Sequence, residues 1–193
     1  SFREGYRSII ERSIYAFDSS NPRPYIIDCG ANVGLSIVFF KRRFADARIL
    51  AFEADPDVFK VLSGNIGRSG FRDVELVNKA VWAHETELDF WQEGADAGRI
   101  SRVADRQFDR RTRVATTRLH DYLAEPVDLL KLDIEGAETD VLLDCEERLI
   151  NAKRVFVEYH SFAGEEQRLD LLLRTLKAAG FRVIAQAEIS PPQ

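Results

Sequence analysis

An α/β fold with a doubly wound, mostly parallel sheet is what this chain predicts, on three observations. Short apolar runs such as "YIIDC", "ARILAF", "VDLLKL" and "RVFV" read as strands buried on both faces. Helical patterns alternate with them, which suits a parallel sheet covered on each side. Each run also ends in polar groups: Asp28, Glu53, Asn78-Lys79-Ala80, Asp133 to Glu135, and Glu158 to His160. In such Rossmann-like sheets the ligand lies at the carboxyl ends of the strands, near the point where strand order reverses.

The elements follow in order. Residues 1–20 form an N-terminal helical segment, amphipathic over 4–17, where Tyr6, Ile9, Ile10, Ile14 and Phe17 recur at helical spacing. "SSNPRP" ends it. Tyr25 to Cys29 is the first strand, and a helix follows from about Leu35 to Ala45. "ARILAFEAD" is the second strand. The next helix has an aspartate cap and a first-turn proline in "DPDVFKVLSGNIGRSG", and it stops at Gly70. "DVELVNKAV" is a third strand, and "VWAHETELDFWQEG" alternates like an exposed hairpin. Residues 94–113 are polar and arginine-rich and read as a loop or lid. "TRLHDYLA" is a short helix. "VDLLKLDIEGAE" holds a fourth strand and "KRVFVEYH" a fifth. A strong helix then closes at Gly180, and "FRVIAQAEI" is a last strand. No repeat or linker interrupts residues 1–193, so a single domain is expected.

Composition narrows the function. The 193 residues are 45% hydrophobic and 31% charged with a net charge of -5, as in soluble globular chains and unlike dedicated nucleic-acid binders. No apolar run reaches the length of a membrane span. Cys29 and Cys145 stand far apart without a C-x-x-C partner, which suits free thiols in a reducing cytoplasm. The chain starts at Ser1 and has no methionine, so a processed chain or a piece of a longer one is expected.

Four strand ends carry chemistry. In "DCGANVG", Gly30 and Gly34 permit backbone angles closed to other residues, and the loop feeds a helix N-terminus. A dinucleotide fingerprint would need a middle glycine where Ala31 and Asn32 stand. Glu53, about 20 residues further on, can accept hydrogen bonds from ribose hydroxyls. Asp133, Glu135 and Glu138 crowd carboxylates after the fourth strand, a costly arrangement without a cation, donor or catalytic use. Glu138 reads as a first-turn acid favoured by the helix dipole, and Lys131 can pair with an acid at the rim. Glu158 and His160 share a face; a histidine suits proton abstraction from a hydroxyl, with a neighbouring carboxylate to orient it.

In order, "DCGANVGLS", "FEADPDVFKVLSGNI", "NKAV", "LLKLDIEGAE" and "VEYH" resemble the FkbM-type methyltransferases, a branch of the class I S-adenosylmethionine-dependent methyltransferases, over about Tyr25 to Phe181. The resemblance implies that Asp28, Gly30, Ala31, Asn32 and Gly34 hold the methionine part of the cofactor. Glu53 would take the ribose, and Lys79 and Ala80 would border the adenine. Asp133, Glu135, Glu158 and His160 would face the methyl group and the acceptor, a hydroxyl of a sugar or secondary metabolite. His160 would be the base, with Glu158 orienting it. A magnesium variant held by Asp133 and Glu158 is a further expectation. The arginines of 99–113 point to an anionic acceptor. A nicotinamide-dependent oxidoreductase and a non-catalytic cofactor-binding domain are the alternatives. Two departures stand out: Leu119-His120 replaces a Leu-Asp pair, and, with the chain stopping at Gln193, the hairpin strand that closes the family's fold is expected to be missing or paired differently.

Overall fold

A computed structural model describes residues 2–93, 97–100, 110–162 and 164–186, with side chains described except at 91–93, 97–100 and 110–111. Its centre is a five-stranded parallel sheet in the order β3-β2-β1-β8-β9. These strands are β1 (Tyr25–Cys29), β2 (Arg48–Phe52), β3 (Val74–Val77), β8 (Leu129–Leu132) and β9 (Val155–Val157). Chain order reverses between β1 and β8. The fold is therefore the expected α/β, mostly parallel, Rossmann-like one.

Alternation along β1 and β8 divides the core. Ile26 and Leu129 face one layer with Ile37, Phe40, Leu62 and Ile66; Ile27, Cys29, Leu130 and Leu132 face the other, with Val141, Leu142, Leu172 and Leu176. The first layer is α2 (Leu35–Arg43), α3 (Pro56–Ser69) and the incoming N-terminal segment; the second is α4 (Glu138–Asp144) and α5 (Leu169–Ala178). Asp55 caps α3 as its sequence predicts, its carboxylate accepting from Asp57 N at 2.8 Å.

The structure corrects several expected elements. The N-terminal helix is short: α1 (Phe2–Tyr6) passes into a π turn over Arg7–Glu11. Ser13 then turns left-handed at φ 56°, and Tyr15 and Phe17 run into the core outside a helix. The third strand breaks at Asn78, so β4 (Ala80–Trp82) joins a second sheet, β4-β7-β5-β6, with β5 (Glu87–Glu93), β6 (Ala97–Ile100) and β7 (Arg110–Arg118). The described parts of the expected 94–113 loop or lid are thus strand, at 97–100 and 110–113; 94–96 and 101–109 lie outside the described residues. "TRLHDYLA" yields only a 3₁₀ turn, Leu119–Tyr122. The last strand expected from Phe181 is absent at 181–186, and its continuation lies outside the described residues. Among the described residues no helix is long and apolar enough to cross a membrane.

Candidate functional site

Strand register builds the site. Val77 pairs with Phe52, Phe52 with Cys29, Cys29 with Leu132, and Leu132 with Val157. The five strands therefore end in one row. The next residues, Asn78, Glu53, Gly30, Asp133 and Glu158, emerge side by side along the carboxyl edge, with the order reversal between Gly30 and Asp133.

The glycine turn is held at its start. Gly30 N and Ala31 N both donate to Phe52 O, at 3.0 and 2.9 Å. Gly30 sits at φ +84°, and a Cβ there would lie 1.8 Å from the Asp133 carbonyl oxygen. Only glycine permits both that angle and that approach. Asn32, exposed at φ 48°, donates its N–H to Glu53 Oε2 at 2.9 Å. Glu53 Oε1 accepts from Asp55 N at 2.9 Å. Burial pushes the Glu53 carboxyl up to about 7, against the pull of those two backbone donors. Each carboxylate oxygen keeps acceptor capacity beyond one backbone donor, so the group fits a nucleoside hydroxyl. Asn78 Nδ2 donates to Glu53 O at 2.8 Å and steadies the strand end. Ala31 and Ala80 are buried, and Lys79 and Ala80 stand at the break between β3 and β4. Asp28 is turned inward: it is fully buried, with Ser36 Oγ on its Oδ2 at 2.5 Å. It shapes the turn from beneath.

On the other side of the row stand Asp133, Glu135, Glu138, Glu158 and His160. Sequence reading missed the part Glu138 plays. Glu138 is fully buried and folds back over its own helix start, accepting from Ile134 N at 3.2 Å and from Gly136 N at 3.1 Å. His160 Nδ1 lies 3.0 Å from Glu138 Oε1, and its Nε2 lies 3.5 Å from Glu135 Oε2. The carboxylate that orients His160 is thus Glu138, not Glu158. The signal was present in "EGAE", where Glu135 and Gly136 turn left-handed at φ 57° and 104° and send Glu138 back across the loop. Burial opposes a charged imidazole, but the Glu138 hydrogen bond and the Glu135 charge outweigh it and lift His160 to about 9. Glu158 is raised by burial, with the Asp133 charge adding to it.

Asp133, Glu158 and His160 offer ligand atoms within 4.8 Å of one another. Magnesium asks for octahedral oxygen ligation. Here the third group is an imidazole already engaged by two carboxylates, and Lys131 Nζ, 3.4 Å from Asp133 Oδ2, supplies positive charge. The set does not fit magnesium. Lys131 itself is buried and reaches Asp28 as well as Asp133. Nothing in the sequence near residue 15 announced Tyr15, which the chain carries across the sheet to within 3.5 Å of Asp133 Oδ2.

The family described as the Methyltransferase FkbM domain matches residues 28–183. Methyltransferase sdnD of Sordaria araneosa is 29% identical, over 97% of this chain and 85% of its own length. 2-O-methyltransferase NoeI of Sinorhizobium fredii (strain NBRC 101917 / NGR234) is 26% identical, over 86% of this chain and 75% of its own. Among solved structures, methyltransferase FkbM from Methylobacillus flagellatus KT superposes with a TM-score of 0.63 at 18% identity, covering 90% of this chain and 41% of that one. Precorrin-6y C5,15-methyltransferase from Geobacter metallireducens GS-15 gives 0.52 at 13% identity, over 93% and 72%.

Proposed function

This chain belongs to the FkbM methyltransferase family, and from that premise we propose that it carries the methyl group of S-adenosylmethionine to a hydroxyl of a sugar or other small metabolite. The observation that carries this reading is the row of strand ends. A glycine turn tied to Glu53 lies on one side of Asp133, and a carboxylate–imidazole cluster on the other. The relative named as a 2-O-methyltransferase supports oxygen as the acceptor atom. The buried thiols Cys29 and Cys145 suit a reducing cytoplasm.

Bound there, S-adenosylmethionine would supply an electrophilic methyl group on a sulfonium. Residues 30–34 hold its amino-acid part by backbone, Glu53 receives the ribose hydroxyls, and Lys79 and Ala80 border the base. Asp133, Glu135, Glu158 and His160 hold the acceptor. Much of the acceleration then comes from holding the hydroxyl oxygen in line. With carboxylates on both ring nitrogens, His160 is a cation near neutral pH and anchors the cluster by donating. Glu158, raised by burial, takes the hydroxyl proton. The arginine-rich segment 99–113 favours an anionic acceptor. In this reading the protein takes no nucleic acid and needs no magnesium.

Calorimetric titration with S-adenosylhomocysteine, and with NAD in parallel, tests the proposal. Micromolar binding of the homocysteine compound alone is expected. Binding of NAD instead would return the chain to a nicotinamide-dependent oxidoreductase. Binding without methyl transfer to any of a broad panel of hydroxyl compounds would favour a non-catalytic domain.

A further inference from the structure

Strand β8 reads Leu-Leu-Lys-Leu, and its lysine is as deeply buried as its leucines, 1% exposed. A leucine or methionine at 131 would serve the sheet at least as well, because burying an ion pair is often no better than apolar packing of the same volume. The ammonium therefore needs a reason beyond stability, and its surroundings supply one.

Lys131 Nζ donates to Gly30 O at 2.9 Å and approaches Cys29 O at 3.4 Å. It lies 3.1 Å from Asp28 Oδ1 and 3.4 Å from Asp133 Oδ2. Register makes this inevitable: Lys131 is the cross-strand partner of Asp28, and Asp133 follows two residues later on the same face. Of these partners, Gly30 opens the glycine turn, and Asp133, its side chain 24% exposed, is the carboxylate that meets the acceptor side. One buried cation thus touches both halves of the site.

The ammonium is also roofed. The Tyr15 ring centroid lies 5.4 Å from Nζ, within cation–π range. That ring is 3% exposed and packs edge-on against Phe156 at 4.7 Å. Its hydroxyl points to Asp133 Oδ2 at 3.5 Å. Tyr15 lies upstream of residues 28–183, the part that matches the family. The N-terminal segment therefore completes the network from outside that region.

We propose that Lys131 is a positioning residue for methyl transfer: its ammonium, roofed by Tyr15, locks the Gly30 carbonyl and the Asp133 carboxylate into one unit. This rests on the reading of the glycine turn as a cofactor loop. Removing Lys131 leaves both groups present but free to move relative to each other.

The test pairs Lys131→Met with Asp28→Asn, so that a fully buried carboxylate is not left unpaired, and takes Asp28→Asn alone as the reference that isolates the lysine. The double variant, this reference and the wild type are compared by thermal melting, S-adenosylhomocysteine titration, and amide hydrogen exchange over 28–36 and 133–138. A cooperative melt is expected, with affinity at least tenfold weaker than that of the reference and faster exchange confined to those two stretches. A merely structural lysine would not loosen them selectively while β2 and β8 stay protected. Tyr15→Leu removes the roof without touching a charge. It should loosen the same two stretches, and it decides the matter if the double variant does not fold. Affinity within twofold of the reference together with unchanged local exchange overturns the proposal. A wild type that fails to bind S-adenosylhomocysteine sinks the cofactor reading instead, and the exchange comparison still judges Lys131.

Discussion

Both nitrogens of the His160 ring face carboxylates, Glu138 at 3.0 Å and Glu135 at 3.5 Å. A neutral imidazole would turn a lone pair toward one of them, so the ring is favoured as a double donor. It loses its proton only around pH 9. A histidine poised as a base would instead leave one nitrogen open to the acceptor. Glu158 differs: burial and the Asp133 charge raise it above a free carboxylate, which makes it the stronger base. With an acceptor in hand, turnover should rise with pH through a value above that of a free carboxylate and below 9. Glu158→Gln should lower kcat by about 10²–10⁴-fold, with S-adenosylhomocysteine affinity retained. Turnover that climbs only near pH 9, together with a fully active Glu158→Gln, would restore His160 as the base.

At the scale of elements, the turn after β1 exists because the chain can cross directly over the end of β8. Gly30 meets the Asp133 carbonyl where a Cβ would come within 1.8 Å. Backbone cannot yield as a flexible side chain would, and φ +84° adds strain for any other residue. Gly30→Ala should abolish measurable S-adenosylhomocysteine binding and destabilise the fold by more than the roughly 1 kcal/mol of an ordinary unfavourable glycine replacement. Unchanged affinity, measured by calorimetry, would show that the turn is not the cofactor loop. This turn was legible in the sequence, as were β1, β2, β8 and β9, because apolar runs that stop near Asp28, Glu53, Asp133 and Glu158 mark sheet edges without any help from distant residues. The second sheet was not. β7 looks polar, yet its buried Thr116 is satisfied by the turn between β4 and β5, accepting from Thr86 N at 2.7 Å and donating to His84 O at 2.6 Å. Hydropathy cannot see such a pairing. Tyr15 was hidden for a related reason: its partners Phe156 and Lys131 lie more than a hundred residues away, and helical spacing around it suggested a helix that Ser13 ends.

Taken as a whole, the molecule concentrates raised proton affinities at one edge of its sheet, and its stability should follow them. His160 sits at about 9 in the fold against an ordinary 6.5. Its contribution is therefore complete below pH 6.5 and is lost as pH climbs through 9. A shift of that size corresponds to about 3 kcal/mol. Glu53, at about 7 against 4.5, acts in the same direction in a lower window, favouring the fold below pH 4.5 and losing that advantage by pH 7. Asp128 works oppositely. Burial alone would raise it, but Lys153, Tyr25 N and Asn21 hold it below the ordinary carboxylate range, so its contribution vanishes in acid. The ligand-free protein should thus be most stable on the mildly acidic side of neutrality. His160 alone should lower its melting temperature by roughly 6–12 °C between pH 6 and pH 9.5, at about 2–4 °C per kcal/mol for a chain of this length. Thermal melts across that range, with His160→Gln alongside, separate the causes. The variant should start lower at pH 6 and follow a much flatter line to pH 9.5, because its side chain carries no titrating proton. An equally steep line in the variant would mean that the Glu135–His160–Glu138 cluster does not hold its proton in the folded state, and the case for His160 as an anchoring cation would fall with it.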